Sequence, residues 1–457
     1  MLSQRAANEV VRDLLPEYQQ EKERLDYIRM WHDWQPDAAM PLPKRATTEH
    51  AKLAEISRTP FLRIVTQSVS QCLHVDGWRS ERTPDLLDTD LFPWRMWRAN
   101  KMPRRQHAIH DAALIYGYSY GKTMPGELRG ESMSSIRGVS PRRGYATWRD
   151  PAEDDHPEYF IEVLPTPEDH VKLIHLYDED AVHYLQVKDT GETEYISHSL
   201  HESGVVPIVR YGMPDLDGHC VGRVEPFIST VSRINKTTYD RMLIQHFNSW
   251  RTRTIAGLEL SDDSEETKMR VRHDDILVTD NPDATFGSLP ETSMDGLIQA
   301  LKHEEQTLAA VSQTPMDMFG SISNLSADAI AAARTGLVKT AFEWQQSFGE
   351  QHEQLLQLAA LQSGREDDAY DETARVHWQD MEVRALSQAV DALGKAAQML
   401  SVPVEALWSR IPDVDQDDVR EWKRMIEENR QQALELDPLG QFAATLERHA
   451  EPTDEEQ

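Results

Sequence analysis

Residues 313–362 read QTPMDMFGSISNLSADAIAAARTGLVKTAFEWQQSFGEQHEQLLQLAALQ. The stretch has two parts. In the first, Pro315 and Gly320 prevent helix continuation, because proline lacks an N–H and glycine is a poor helix former. In the second, Ser326 stands at an N-cap position with Asp328 in the first turn. Ile330, Leu337, Ala341, Trp344, Phe348, Leu355 and Ala359 then recur at helical spacing and predict one buried stripe. Gly364 marks the stop. At ~1.5 Å per residue, the 326–362 helix would reach roughly 55 Å. That is far longer than the helices of ordinary globular domains, so the rest of the chain has to be arranged around it.

Working upstream, the spacing predicts another long helix over 225–250, with Pro226 in a tolerated first-turn position. Phe227, Val231, Ile234, Thr238 and Met242 form its stripe. Thr292-Ser-Met-Asp295 has the form of a capping box, followed by Leu297, Leu301, Leu308 and Val311 on a second helix. Between the two lies an irregular insert, 251–290, with strand-like runs at 254–260 and 276–279 around an acidic loop at 261–266. The order is therefore helix, small β insert, helix, non-helical loop, very long helix.

The N-terminal half is mixed. Val10, Val11, Leu14, Leu15, Tyr18, Leu25 and Ile28 predict a first helix with a kink or break at Pro16. A second is predicted over 60–73, ended by Asp76-Gly77, and a third over 94–120. The runs 159–164, 171–177, 182–187, 194–198 and 205–211 are short, β-branched and aromatic, and predict one antiparallel meander. The fold class is α+β rather than α/β. A helical tail, 365–457, carries 23 acidic against 10 basic residues.

Composition narrows the function. The 457 residues hold 48 Lys+Arg against 78 Asp+Glu, a formal net charge of −30. Such a chain does not grip nucleic acid by a general basic surface. No apolar run is long enough to span a membrane, and the first eight residues lack the pattern of a secretion signal. Cys72 and Cys220 support neither a disulfide framework nor a cysteine metal site. No metal or cofactor is expected.

The candidate catalytic motifs fail on spacing. Gly117-Tyr-Ser-Tyr-Gly121-Lys122-Thr123 has three residues between its glycines, where a phosphate loop needs four, and a helical pattern precedes it instead of a strand. The simpler expectation is a helix end broken by glycines. His107 and His110 lack a third zinc ligand at compatible spacing. Asp413, Asp415, Asp417 and Asp418 lack the glycine and closing glutamate of a calcium loop. One asymmetry remains: between Arg95 and Arg149 there are eleven basic residues against three acidic ones. This cluster suits either phosphates or an acidic surface of a neighbouring subunit, and the second is the favoured expectation.

The order of these pieces resembles that of the portal (head-to-tail connector) proteins of long-tailed bacteriophages. Local strings resemble the family as well: Trp97-Arg-Ala-Asn100 with 112–121, Val205-Val-Pro-Ile-Val209 before Gly222, Ser323-Asn-Leu-Ser-Ala-Asp-Ala329, and Val376-His-Trp-Gln-Asp380. The resemblance spans roughly residues 6–428. It implies a wing over 1–220, a stem helix over 221–250, a clip over 251–292, a second stem helix over 293–312 and a tunnel loop over 313–325. A long spine helix with a returning wing strand would follow over 326–384, then a crown and acidic tail over 385–457.

By the same resemblance, family members are rings of twelve at one capsid vertex. Double-stranded DNA passes through the channel without sequence preference. The implied partners are the major capsid protein, the terminase motor and later the head-tail adaptor, with no membrane. The location is the virion, and the host cytoplasm during assembly. The implied channel residues are Met316, Asp317, Met318, Phe319, Ser321, Ile322 and Asn324, a set with no Lys or Arg to grip phosphates. The implied docking residues of the clip are Arg251, Arg253, Glu259, Asp262, Asp263, Arg270 and Arg272. The competing expectations are a packaging ATPase subunit, which needs a true phosphate loop, and a scaffold or minor capsid protein without a channel.

Overall fold

The computed structural model describes residues 1–33, 47–82, 91–128, 130–166, 171–249, 253–256, 285–288, 293–320, 327–379, 386–411, 414 and 416–436. Helix α1 (Gln4–His32) is capped by the Ser3 side chain and runs unbroken through Pro16. The break expected there does not occur. Proline removes only its own hydrogen bond to the preceding turn, and buried Leu14 and Tyr18 hold the helix on both sides of it. After α2 (Thr48–Ile56) and α3 (Phe61–Ser70) comes strand β1 (Val75–Arg79). Asp76 and Gly77 lie inside this strand, at an irregularity in its pairing, rather than at a helix end.

The single helix expected over 94–120 is two, α4 (Phe92–Ala99) and α5 (Met102–Tyr116). They divide at Lys101, whose φ of 58° is left-handed, just before the first-turn proline of α5. Strands β2 (Tyr118–Met124), β3 (Glu127–Leu128), β4 (Glu131–Ser132), β5 (Ser135–Val139) and β6 (Gly144–Thr147) follow. Then come β7 (Tyr159–Leu164), β8 (Val171–Tyr177), β9 (Ala181–Lys188), β10 (Thr193–Leu200) and β11 (Ile208–Gly212).

The expected meander is the antiparallel sheet β10-β9-β8-β7-β6, with two corrections: its edge strand β6 is not among the predicted runs, and the last predicted run is not part of it. Strand β11 leaves it and pairs with β2 in a separate sheet, β11-β2-β5. Four of the five β11 residues are buried, so its sequence has no alternation to show which sheet it joins.

In the second half, a short 3₁₀ turn (Glu225–Phe227) opens α6 (Ile228–Ser249). The hairpin β12 (Arg253–Ala256) and β13 (Thr285–Ser288) leads to α7 (Asp295–Ser312). A 3₁₀ turn (Met316–Phe319) then precedes α8 (Ala327–Gln362). The element order is the one expected, but one detail differs. The partner of β12 lies at 285–288, while the run at 276–279 is outside the described residues. Thr292 of the expected capping box lies outside the described residues; Met294 caps α7 without a side-chain bond, and Ser293 Oγ accepts from the Asp295 N–H at 3.3 Å. Helix α9 (Glu366–Ala369), strand β14 (Arg375–Trp378) and helices α10 (Leu386–Leu400) and α11 (Gln416–Leu436) follow among the described residues. Strand β14 pairs antiparallel with β1 across nearly three hundred residues.

Helix α8 is the axis of the largest core. Leu337, Ala341, Trp344, Phe348, Leu355 and Ala359 are all buried, against Trp97, Leu114, Ile136 and Tyr211 among others. The side chain of Ile330 lies outside the described residues. Each of the buried leucines and Phe348 contributes about 1.5–3 kcal/mol of transfer free energy. Helix α1 joins two further cores. Val11, Leu14 and Tyr18 cover Ile161, Ile174 and Leu185 of the five-stranded sheet. Leu25 and Ile28 pack with Phe61, Ile234 and Leu308, at the base of α6 and α7.

Candidate functional site

Helices α6 and α7 form an antiparallel arm joined by the β12–β13 hairpin and cross-linked by Arg233 and Glu304 at 2.9 Å. Burial follows the length of the arm. At its base, Ile228, Val231, Ile234 and Tyr239 of α6 and Leu308, Ala309 and Ser312 of α7 are buried. Toward the hairpin, Met242, Leu243 and Ile244 are only half-buried, and Ile298 on α7 is 39% exposed. Two helices that touch mainly each other leave part of their apolar surface in water. The base is fixed by polar contacts. Asn235 Oδ1 accepts from the Thr59 N–H at 3.3 Å, and the Arg223 guanidinium donates to the Ser312 carbonyl at the end of α7. Burial pushes the Arg223 pKa down to about 10, against the opposing pull of Glu343.

At the tip, Arg253 stands opposite Ser288 in the hairpin register. The other residues expected to dock partners, Arg251, Glu259, Asp262, Asp263, Arg270 and Arg272, lie outside the described residues.

The loop between α7 and α8 is held against its own chain. Gln313 adopts a left-handed conformation (φ 53°), and Ser312 and Thr314 are buried and hydrogen-bonded at 2.9 Å. In the 3₁₀ turn, Phe319 packs on Phe61 with ring centres 5.6 Å apart, and Met318 packs on the α8 core. Asp317 accepts from Arg334 of α8 at 3.0 Å. Met316 is half-buried. Ser321, Ile322 and Asn324 lie outside the described residues. The structure therefore brings Met318 and Phe319 onto the protein body.

The glycine–lysine stretch serves packing. Gly117 caps α5 in the left-handed region (φ 98°), and Gly121 lies within β2. A Cβ at Gly121 would come within 2.8 Å of Tyr211 and 3.0 Å of Leu355, so the glycine lets α8 approach the strand closely. Lys122 Nζ donates to Glu162 at 2.5 Å and to Tyr177 at 3.0 Å. A phosphate loop needs strand then helix, and here helix precedes strand.

The two histidines on α5 are not a pair. His107 stacks on His74, while His110 is fully buried and meets His352 of α8. Among the described residues, no group of three or more His, Cys, Asp or Glu could hold a metal ion, and no helix is long and apolar enough to cross a membrane. Asp413 and Asp415 are outside the described residues.

Much of the basic segment is spent within the chain. Arg95 pairs with Glu131 at 2.7 Å, Arg142 with Asp26 at 2.5 Å, and Arg149 with Glu158 at 3.4 Å. Neither Arg223 nor His352 belongs to any motif of the sequence. His352 does follow Phe348 by one turn on the buried stripe of α8, which is the signal that marks it as interior.

A family model described as phage portal protein, SPP1 Gp6-like, matches residues 14–432. No curated protein matches the chain. The match takes in the mixed N-terminal half, the arm with its hairpin, the loop, the long helix and the returning strand, so the chain belongs to the phage portal protein family.

Proposed function

We propose that copies of this chain assemble into a ring of twelve at one vertex of a phage capsid, and that double-stranded DNA enters and leaves through its channel. In this assignment residues 1–220 with β14 are the wing, α6 and α7 the stem, 251–292 the clip, 313–325 the tunnel loop, α8 the spine and 385–457 the crown. The clip docks the terminase motor and later the head-tail adaptor, and the outer surface seats in the capsid shell. The observation that carries this is the arm: Met242, Leu243, Ile244 and Ile298 are left partly in water on a helix pair that has few neighbours among the described residues. Neighbouring copies packed side by side would cover them. A net charge of −30 suits a channel in which DNA must slide rather than stick.

The ring has no nucleotide turnover of its own. Lys122 is held by Glu162 and Tyr177, which supports a structural rather than a phosphate-binding role. Negative-stain microscopy of the purified chain tests the proposal. Rings with a central hole are expected, and a field of isolated single chains contradicts it.

A further inference from the structure

An open groove of about 1270 Å³ runs beside α8, between that helix, β14 and the 148–155 segment. Six carboxylates line it, those of Glu153, Asp154, Asp155, Glu343, Glu350 and Glu353, against the guanidiniums of Arg210 and Arg375. Both cations are already engaged. Arg375 lies 3.5 Å from Glu353, and Arg210 stacks on Trp148 at 4.5 Å while donating to the Pro151 carbonyl at 2.8 Å. Glu153, Glu343 and Glu350 have no hydrogen bond or ion pair among the described residues. In the same wall, Phe342 is 54% exposed. The groove thus offers unsatisfied anions beside an uncovered aromatic ring.

A second surface has the opposite character. Arg105 and Arg137 donate to one backbone carbonyl, that of Ile136, at 3.2 and 3.1 Å. Arg104 is close enough to add its charge, so that burial first, and then Arg137 and Arg104, push the Arg105 pKa down. None of the three has a carboxylate partner among the described residues, and Lys101 is exposed one turn away on the same helix start. In a chain of net charge −30, arginines crowded without a counter-charge are out of keeping with the whole.

We propose that the arginine patch of Arg104, Arg105 and Arg137 on one copy docks into the carboxylate groove along α8 of the next copy. This rests on the ring assignment and says which surfaces meet. Patch and groove are different surfaces of one chain, so the contact is head-to-tail, the type that closes into rings. Guanidiniums match carboxylates by forked hydrogen bonds and stack on aromatic faces, which suits Glu153, Glu350 and Phe342 together. The competing ligand for the patch is the phosphate backbone of DNA. That alternative leaves the groove's charges unmatched, whereas the contact between copies satisfies both surfaces at once.

Charge reversal in the full-length chain tests it. All six positions used are exposed. Lys101→Glu/Arg104→Glu/Arg137→Glu makes the patch acidic, and Glu153→Lys/Glu343→Lys/Glu350→Lys makes the groove basic. Each variant alone is expected to lose at least about tenfold in ring yield at micromolar concentration, because like charges then meet. Mixed in equal amounts, the two variants are expected to regain rings, since each one's patch is now complementary to the other's groove. Unchanged rings in either variant overturn the proposal, as does a mixture that fails to recover. Intact rings with weakened DNA binding by the patch variant overturn it in favour of a DNA contact. Wild-type protein that forms no rings overturns the ring assignment itself, and that result is read before any variant is made.

Discussion

His110 Nε2 lies 2.8 Å from His352 Nε2, with both rings fully buried. The Leu73 carbonyl accepts from His110 Nδ1 at 3.3 Å, which leaves His110 Nε2 as an acceptor. His352 Nε2 therefore donates, and His352 Nδ1 accepts from the Tyr211 hydroxyl at 2.8 Å. A single set of neutral tautomers satisfies every bond, and it ties α5, α8 and β11 together inside the main core.

This arrangement makes the fold acid-sensitive. Burial pushes His110 down to about 3 and His352 well below the ordinary 6.5, so both stay neutral in the folded protein while the unfolded chain takes up protons. The stability from keeping them neutral is complete above about pH 6.5 and is lost as pH falls from there toward 3. Each histidine contributes a slope of about 1.4 kcal/mol per pH unit in that window. Urea unfolding at pH 7 and pH 5 checks this. The midpoint should fall on acidification, and His352→Gln should flatten the fall. Equal midpoints would contradict the neutral chain.

Lys122→Ala should cost stability and nothing else. It leaves the Glu162 carboxylate buried beside Tyr177 without its cation, a loss of about 3–5 kcal/mol. Thermal melting measures the loss. An ATP titration of the same variant and of the wild type should show no binding difference.

Arg223→Met should loosen the joint between the arm and the body. The guanidinium loses its bond to the last carbonyl of α7, worth about 1.5–3 kcal/mol for a charged donor. Faster proteolytic cleavage in the segment between α7 and α8, with the same overall circular dichroism, is the expected result.

The arm and the long helix were legible because their signals are local. The stripe of Leu337, Ala341, Trp344, Phe348, Leu355 and Ala359 has helical period throughout, and every one of these residues is buried. The misplaced elements are those decided by distant partners. β11 has no alternation and is assigned to β2 only by the approach of α8 over Gly121. Likewise, Asp76-Gly77 looks like a helix end until β14 pairs across it. The candidate site divides the same way. The absence of cations at 316–322 is plain in the chain, but that Phe319 lands on Phe61 depends on where α3 sits. The groove beside α8 draws its carboxylates from two segments nearly two hundred residues apart, so no local pattern announces it.

The position of Phe319 separates two tests of the tunnel loop. Phe319 is half-buried, so Phe319→Asp, which puts a charge against Phe61, should lower stability by about 1–3 kcal/mol, reducing ring yield. Replacing residues 321–325 with glycine and serine should leave rings and melting temperature unchanged while shortening the DNA retained in filled heads. Loss of rings in the second variant, or full DNA retention, would end the assignment of this loop to the channel.

The central claim is that the chain works only as a closed ring, and native mass spectrometry of the full-length protein at micromolar concentration tests it most directly. The account predicts one dominant species of twelve chains of 52.4 kDa each, free of bound nucleotide. A spectrum of monomers alone at that concentration would contradict it.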